Sequence, residues 1–143
     1  SRCASAVYDV SMLNHLTPLE VMDVALRLVQ ALQTIEEPKV ALDIITASTQ
    51  HMAYTHGLRD PFHATLWGFA RTARIENPQH EFRCLDVDAG CRWEDMAFIT
   101  RYLMGAQSTR PAEAIIRGGG LQVARLVSAR LQLKLPTKVE VRR

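Results

Sequence analysis

The residues of this chain that could do chemistry are few and loosely spaced. Ser48, His51, Tyr54 and His56 fall in the polar stretch Ala47 to Arg59, directly after an apolar run. An α/β enzyme often sets its reacting groups in that place. Proton transfer by Tyr54 would need a lysine beside the phenol as well as a bound cofactor, and no lysine lies between Lys39 and Lys134. His51, His56 and His63 follow no HExxH pattern or other ligand spacing that closes around a metal ion. Hydrogen-bonded or solvent-facing imidazoles are the expectation for them. Cys84 sits in an apolar run and Cys91 follows Gly90 in a turn; neither has a visible activating neighbourhood for a nucleophilic thiolate. Asp86 and Asp88 would share one side of a strand, while Glu94 and Asp95 suit the positive end of a helix. Capping and solvated charge therefore account for this acidic cluster without a divalent ion. Gly118, Gly119 and Gly120 lack both the spaced dinucleotide fingerprint and the lysine plus hydroxyl of a nucleotide loop. An alternating segment follows them where an anion-binding helix would be needed.

The elements that must position these residues are better written. Ala6, Val7 and Tyr8 are expected at the end of a short strand. Thr17, Pro18 and Glu20 combine a capping hydroxyl, a first-turn proline and a reciprocal carboxylate, which predicts a helix start. Its polar stripe, Glu20, Asp23, Arg27, Gln30 and Thr34, leaves Leu19, Met22, Leu26, Val29 and Leu32 to cover a sheet. After Glu36, Glu37 and Pro38, the run Val40 to Thr46 reads as a buried strand despite Asp43. Asp60 and Pro61 then open a second helix that buries Phe62, Leu66, Phe69, Ala70 and Ala73, with His63, Arg71 and Arg74 nearer its boundary; Asn77 and Pro78 stop it. Gly68 beside Trp67 predicts a close backbone approach. Glu81 to Asp88 reads as a strand. Trp93 to Met104 reads as a helix packed through Met96, Phe98, Ile99 and Leu103 and ended by Gly105. Trp67, Trp93 and Phe98 are expected as core or interface anchors. Ala112 to Arg117 and Leu121 to Val127 read as strands joined by the glycine turn, a hairpin. Strands alternating with helices in this order predict an α/β domain with a parallel sheet layer.

Composition narrows the function classes. With 143 residues and 48% hydrophobic content the chain can build one core. A formal net charge of +2, with arginines scattered along the chain, excludes a dense nucleic-acid-binding tract. Three cysteines, Cys3, Cys84 and Cys91, in no metal-binding arrangement fit a reducing compartment. No run is long enough to span a bilayer, and Ser1 to Val10 lacks a signal-peptide core, so cytoplasm is the expected location.

The segment Leu66 to Asp88, LWGFARTARIENPQHEFRCLDVD, resembles the helix-to-strand segment of the ketoreductase region in modular polyketide synthases. Trp67, Gly68, Arg71, Glu76, Pro78, Asp86 and Asp88 carry the pattern. Leu16 to Leu32 resembles the preceding helix of that region and Val40 to Thr46 its next strand. Ile115 to Leu126, IIRGGGLQVARL, is similar to its arginine-and-glycine turn, so Gly118, Gly119 and Gly120 match a structural turn. Most of the chain from Val7 to Val127 is covered.

The resemblance implies a truncated Rossmann-like sheet with flanking helices and a C-terminal hairpin: a structural subdomain over residues 1–128, with 129–143 as an extension or connector. It implies no catalytic, cofactor-binding or metal-binding residue in this chain. The structural or interface candidates are Trp67, Gly68, Arg71, Arg74, Asp86 and Gly118 to Gly120, with Arg71 and Arg74 on neighbouring surface positions of the helix. The expected partner is a catalytic ketoreductase subdomain, or an adjacent processing domain, of the same polypeptide. NADPH would belong to that partner, which receives β-ketoacyl groups from an acyl carrier protein; a pseudo-ketoreductase context fits the same pattern. Two other readings stay open: a small independent α/β enzyme using the 47–59 loop, and an interaction module outside polyketide synthesis.

Overall fold

In the computed structural model, strands and helices alternate along the chain as the sequence predicts. The structure describes residues 4–11, 13, 15–36, 39–50, 62–88, 90, 93–105 and 110–124. Its elements are β1 (Ala4–Asp9), α1 (Pro18–Gln33), β2 (Val40–Ala47), α2 (Thr65–Glu76), β3 (Glu81–Val87), α3 (Trp93–Met104), β4 (Glu113–Arg117) and β5 (Gly120–Gln122), with a 3-10 turn at Phe62–Ala64 leading into α2. The strands form one sheet in the order β1-β2-β3-β4-β5, parallel up to β4 and antiparallel between β4 and β5. This is the α/β, Rossmann-like sheet with flanking helices and a short terminal hairpin.

β2 and β3 are the central strands, and their near-continuous burial is what a parallel sheet covered on both faces requires. Alternation then sorts their side chains. Val40, Leu42, Ile44, Phe82 and Cys84 join Val21, Ala25, Val29 and Leu32 of α1 and Leu66, Trp67, Ala70 and Ala73 of α2 in one core. Ile45, Ala47, Leu85, Val87, Ala114 and Ile116 meet Ile99 and Tyr102 of α3 in a second. So α1 and α2 lie on one face and α3 on the other.

The start of α1 is the sequence signature made real. Thr17 Oγ1 accepts from the Glu20 N–H at 3.3 Å, and the Glu20 carboxylate accepts from the Thr17 N–H at 2.7 Å. These two bonds satisfy donors that a helix N-terminus otherwise leaves unpaired. Its buried face differs from the expectation: Val21, Ala25, Val29 and Leu32 are buried, whereas Leu19 and Leu26 are exposed. Val21, Ala25, Val29 and Leu32 recur at helical spacing as one stripe, and Leu19 and Leu26 fall off it. In α3, Tyr102 takes the buried place expected of Met96, which is exposed; the Tyr102 hydroxyl donates to the Pro111 carbonyl at 3.1 Å.

Gly118 and Gly119 occupy the two central positions of the β4–β5 turn with φ of +55° and +72°, and Arg117 pairs with Gly120 across it. Positive φ at both positions is the two-residue hairpin geometry that matches strand twist. β5 ends at Gln122, short of the predicted Val127; residues 125–127 and 129–143 lie outside the described residues.

Candidate functional site

In an open α/β sheet, ligands bind at the carboxyl ends of neighbouring strands whose following connections leave on opposite faces. Here β2 leads to α2 on one face and β3 leads to α3 on the other, so the crevice lies between Ala47 and Val87. A network of the chain's own side chains fills its floor. Asp86, fully buried on β3, accepts from Thr46 Oγ1 at 2.6 Å, Thr49 Oγ1 at 2.9 Å and the Thr49 N–H at 3.1 Å through Oδ1. Its Oδ2 accepts from the Gln50 N–H at 3.1 Å and from Arg117 Nη2. Ser48 makes this possible: its φ of 51° turns the chain just past β2, so that two successive N–H groups meet the carboxylate. Positive φ in a residue other than glycine is uncommon and costs about 1–2 kcal/mol, a strain the five-donor carboxylate offsets.

The remaining groups lock the same corner. Trp67 of α2 donates its indole N–H to Thr46 Oγ1 at 3.1 Å. Arg117 donates through Nη1 to the carbonyls of Asp86 and Ile116, at 3.0 and 2.9 Å, and its Nε meets Asp88 at 2.9 Å. Asp95 of α3 accepts from the Gly119 N–H at 2.9 Å. The hairpin is therefore tied to the strand ends through Arg117 and to α3 through Asp95. Chemically, Asp86 is a saturated acceptor: both oxygens are engaged, and one opposes a buried guanidinium. Such a group positions backbone and has no lone pair directed at a substrate proton.

A second cluster joins α2 to β4. Arg71 grips Glu113 bidentately, Nε and Nη2 each at 2.7 Å, and Arg74 Nη2 adds a third bond at 2.7 Å. The Arg71 hydrogen bond, followed by that of Arg74, holds the Glu113 carboxyl far below the usual carboxylate range, at about 2. The two arginines thus clamp β4, the last of the parallel strands, instead of forming a free basic surface. Gly68, one helical turn away, is exposed, and a Cβ built there would meet nothing within 4 Å. The close backbone approach predicted for it is not made by any of the described residues.

The third cluster was hidden in the apolar strands. Asp43 and Arg83 stand opposite each other in the β2–β3 register, with Arg83 Nε donating to Asp43 Oδ1 at 2.9 Å. Arg110 Nη1 adds a bond to Asp43 Oδ2 at 3.1 Å, and its guanidinium lies 5.6 Å from the centre of the Tyr102 ring. A carboxylate and a guanidinium at matching places in two adjacent buried strands were the signal available in sequence. Arg110 carried none, because a loop arginine is ordinarily solvated.

Of the other sequence candidates, Cys84 is sealed in the core, and burial pushes its thiol up to about 12, which removes it as a nucleophile. His63 is buried instead of lying at the helix boundary, and Trp67 is a core anchor with a satisfied N–H. Among the described residues, no three His, Cys, Asp or Glu side chains gather in a metal-binding arrangement. His51, Tyr54, His56 and Cys91, together with the side chain of Trp93, fall outside the described residues. No helix of the described residues is long and apolar enough to cross a membrane.

The chain matches no curated protein and no solved structure. Residues 4–126, which hold all five strands and all three clusters, match the family model described as the Rossmann fold domain of the polyketide synthase extender module SpnB, and the chain belongs to that family.

Proposed function

We propose that this chain is a noncatalytic structural subdomain of a polyketide synthase, bracing a catalytic ketoreductase subdomain or an adjacent processing domain of the same polypeptide. The observation that carries this reading is the closure of the strand-end crevice: Asp86, Thr46, Thr49, Trp67 and Arg117 satisfy one another where a Rossmann-type enzyme would hold its ligand. The glycine run that in sequence invites comparison with a phosphate cradle is a β-hairpin turn, with the strand β5 directly behind it where a phosphate loop would need a helix N-terminus. Membership of the polyketide synthase family supplies the context.

In this reading the work is geometric. Three polar clusters and two cores hold the sheet rigid, and the exposed apolar residues Leu19 and Leu26 on α1 and Ile75 on α2 offer surface to a neighbour. The neighbour would bind NADPH and reduce a carrier-delivered β-ketone, and this chain would keep it in register. The alternative of a small enzyme built on the 47–59 loop draws little support from the part described, since Thr49 and Gln50 are committed to Asp86.

The test is NADPH-dependent reduction of a carrier-linked β-ketoacyl substrate by this chain alone and by the chain joined to the natural segment that follows it. Turnover confined to the longer protein is the expected result. Saturable turnover by the 143-residue chain would overturn the proposal.

A further inference from the structure

We propose that the opposite, amino-terminal end of the sheet carries a binding site for an organic oxyanion, a phosphate monoester or a carboxylate, in the cavity between the α2–β3 turn and the lead-in to β4. The cavity measures about 460 Å³, and its walls include Arg74, His80, Arg83 and Arg110 together with the apolar Pro78 and Phe82. Its size and mixed lining suit an anionic head attached to a small apolar body better than a bare ion.

Two buried donors from separate elements carry the inference. The Arg110 side chain is 4% exposed; its Nη1 is committed to Asp43, but Nε and Nη2 have no hydrogen-bond partner among the described residues. Those two N–H groups form one edge of the guanidinium fork, the edge that grips two oxygens of a carboxylate or phosphate at once. Arg71 uses the same edge on Glu113. His80 is the second. Its Nδ1 accepts from the Val40 N–H at 3.5 Å, which places the ring proton on Nε2, and that buried Nε2 also lacks a partner among the described residues. Buried donors without acceptors are rare and costly, and each asks for an explanation.

Charge points the same way. Four guanidinium groups, Arg71, Arg74, Arg83 and Arg110, share three carboxylates, Glu113, Glu81 and Asp43, and every one of those carboxylates is already engaged. Among the described residues, these pairs count one more guanidinium than carboxylate in the cluster. An oxyanion would complete the cluster, reaching Arg110 and His80 together. The site lies at the far end of the strands from the Asp86 corner, so the inference does not depend on the proposed bracing role.

Thermal unfolding of the 143-residue chain at constant ionic strength tests it, with inorganic phosphate, a simple phosphate monoester and acetate as probes and chloride as reference. A saturable rise in Tm of about 5 °C at ten times Kd is expected for at least one oxyanion, lost in Arg110→Gln. Should Arg110→Gln fail to fold, the double variant Asp43→Asn/Arg110→Gln removes one charge of each sign, leaves the net charge of the cluster unchanged and must also lose the effect. Saturation by both phosphates and acetate supports recognition of the two-oxygen edge, and saturation by phosphates alone supports the proposal and assigns the ligand to that class. Shifts no larger than those in chloride, or shifts that persist in the double variant, would overturn it.

Discussion

Asp86 is the side chain on which the strand-end corner depends. It is fully buried, holds Arg117, and orients the chain after β2 through two backbone N–H groups. Replacing one member of a buried ion pair strands the other charge, so Asp86→Ala is expected to lower stability by about 3–5 kcal/mol in urea unfolding. A loss below about 1 kcal/mol would mean that the corner is not a structural lock. Glu113 makes a pH-dependent prediction. Its folded pKa of about 2 lies below the unfolded value of about 4.3. Its contribution is therefore fully present above the unfolded pKa and disappears as pH falls from there through about 2. With Arg71 58% exposed and screened by solvent, about 1–2 kcal/mol is expected from this cluster. Glu113→Gln should remove that part of the acid sensitivity, as read from unfolding curves between pH 5 and pH 2; an unchanged profile would contradict the clamp.

At the scale of the elements, Gly68 separates packing within the chain from packing against a neighbour. It lies in the interior of α2 and is exposed with open space around it. Gly68→Ala is thus expected to raise the stability of the isolated chain by about 1 kcal/mol through helix propensity. If the glycine exists for a neighbour's backbone, the same change should weaken association with that neighbour while the Tm of the chain alone rises. A fall in that Tm would show a contact inside the chain instead. The start of α1, the stop of α2 and the hairpin turn were legible because their signals are local: Thr17 with Glu20, Asn77 with Pro78, and two positive-φ glycines; α2 itself begins at Thr65 without a side-chain cap, and Asp60 and Pro61, expected to open it, lie outside the described residues. Which leucines of α1 face the sheet was not legible, because apolar residues occupy most of the helix outside its narrow polar stripe and the tertiary packing selects which of them are buried. The clusters were only partly visible. Asp86 stood out by its spacing, but its partners Thr46, Thr49 and Arg117 come together only through the β2–β3 register and the return of the hairpin. Arg71 and Arg74 looked like surface charges because Glu113 is some 40 residues away along the chain.

Across the whole molecule, the two ends of one sheet have different chemistry. The carboxyl ends of β2 and β3 are closed by satisfied hydrogen bonds, whereas the amino-terminal end holds Arg110 and His80 with donors still open. The sheet belongs to the Rossmann fold domain family of a polyketide synthase extender module, and the proposed structural role rests on the closed corner. The most direct measurement supplies this chain and the proposed catalytic reductase segment as separate polypeptides and follows NADPH oxidation with a carrier-linked β-ketoacyl substrate. The account predicts no turnover by this chain, weak or no turnover by the catalytic segment, and a saturable recovery when folded chain is added. Turnover by the chain alone, or a catalytic segment fully active and equally stable without it, would contradict the account.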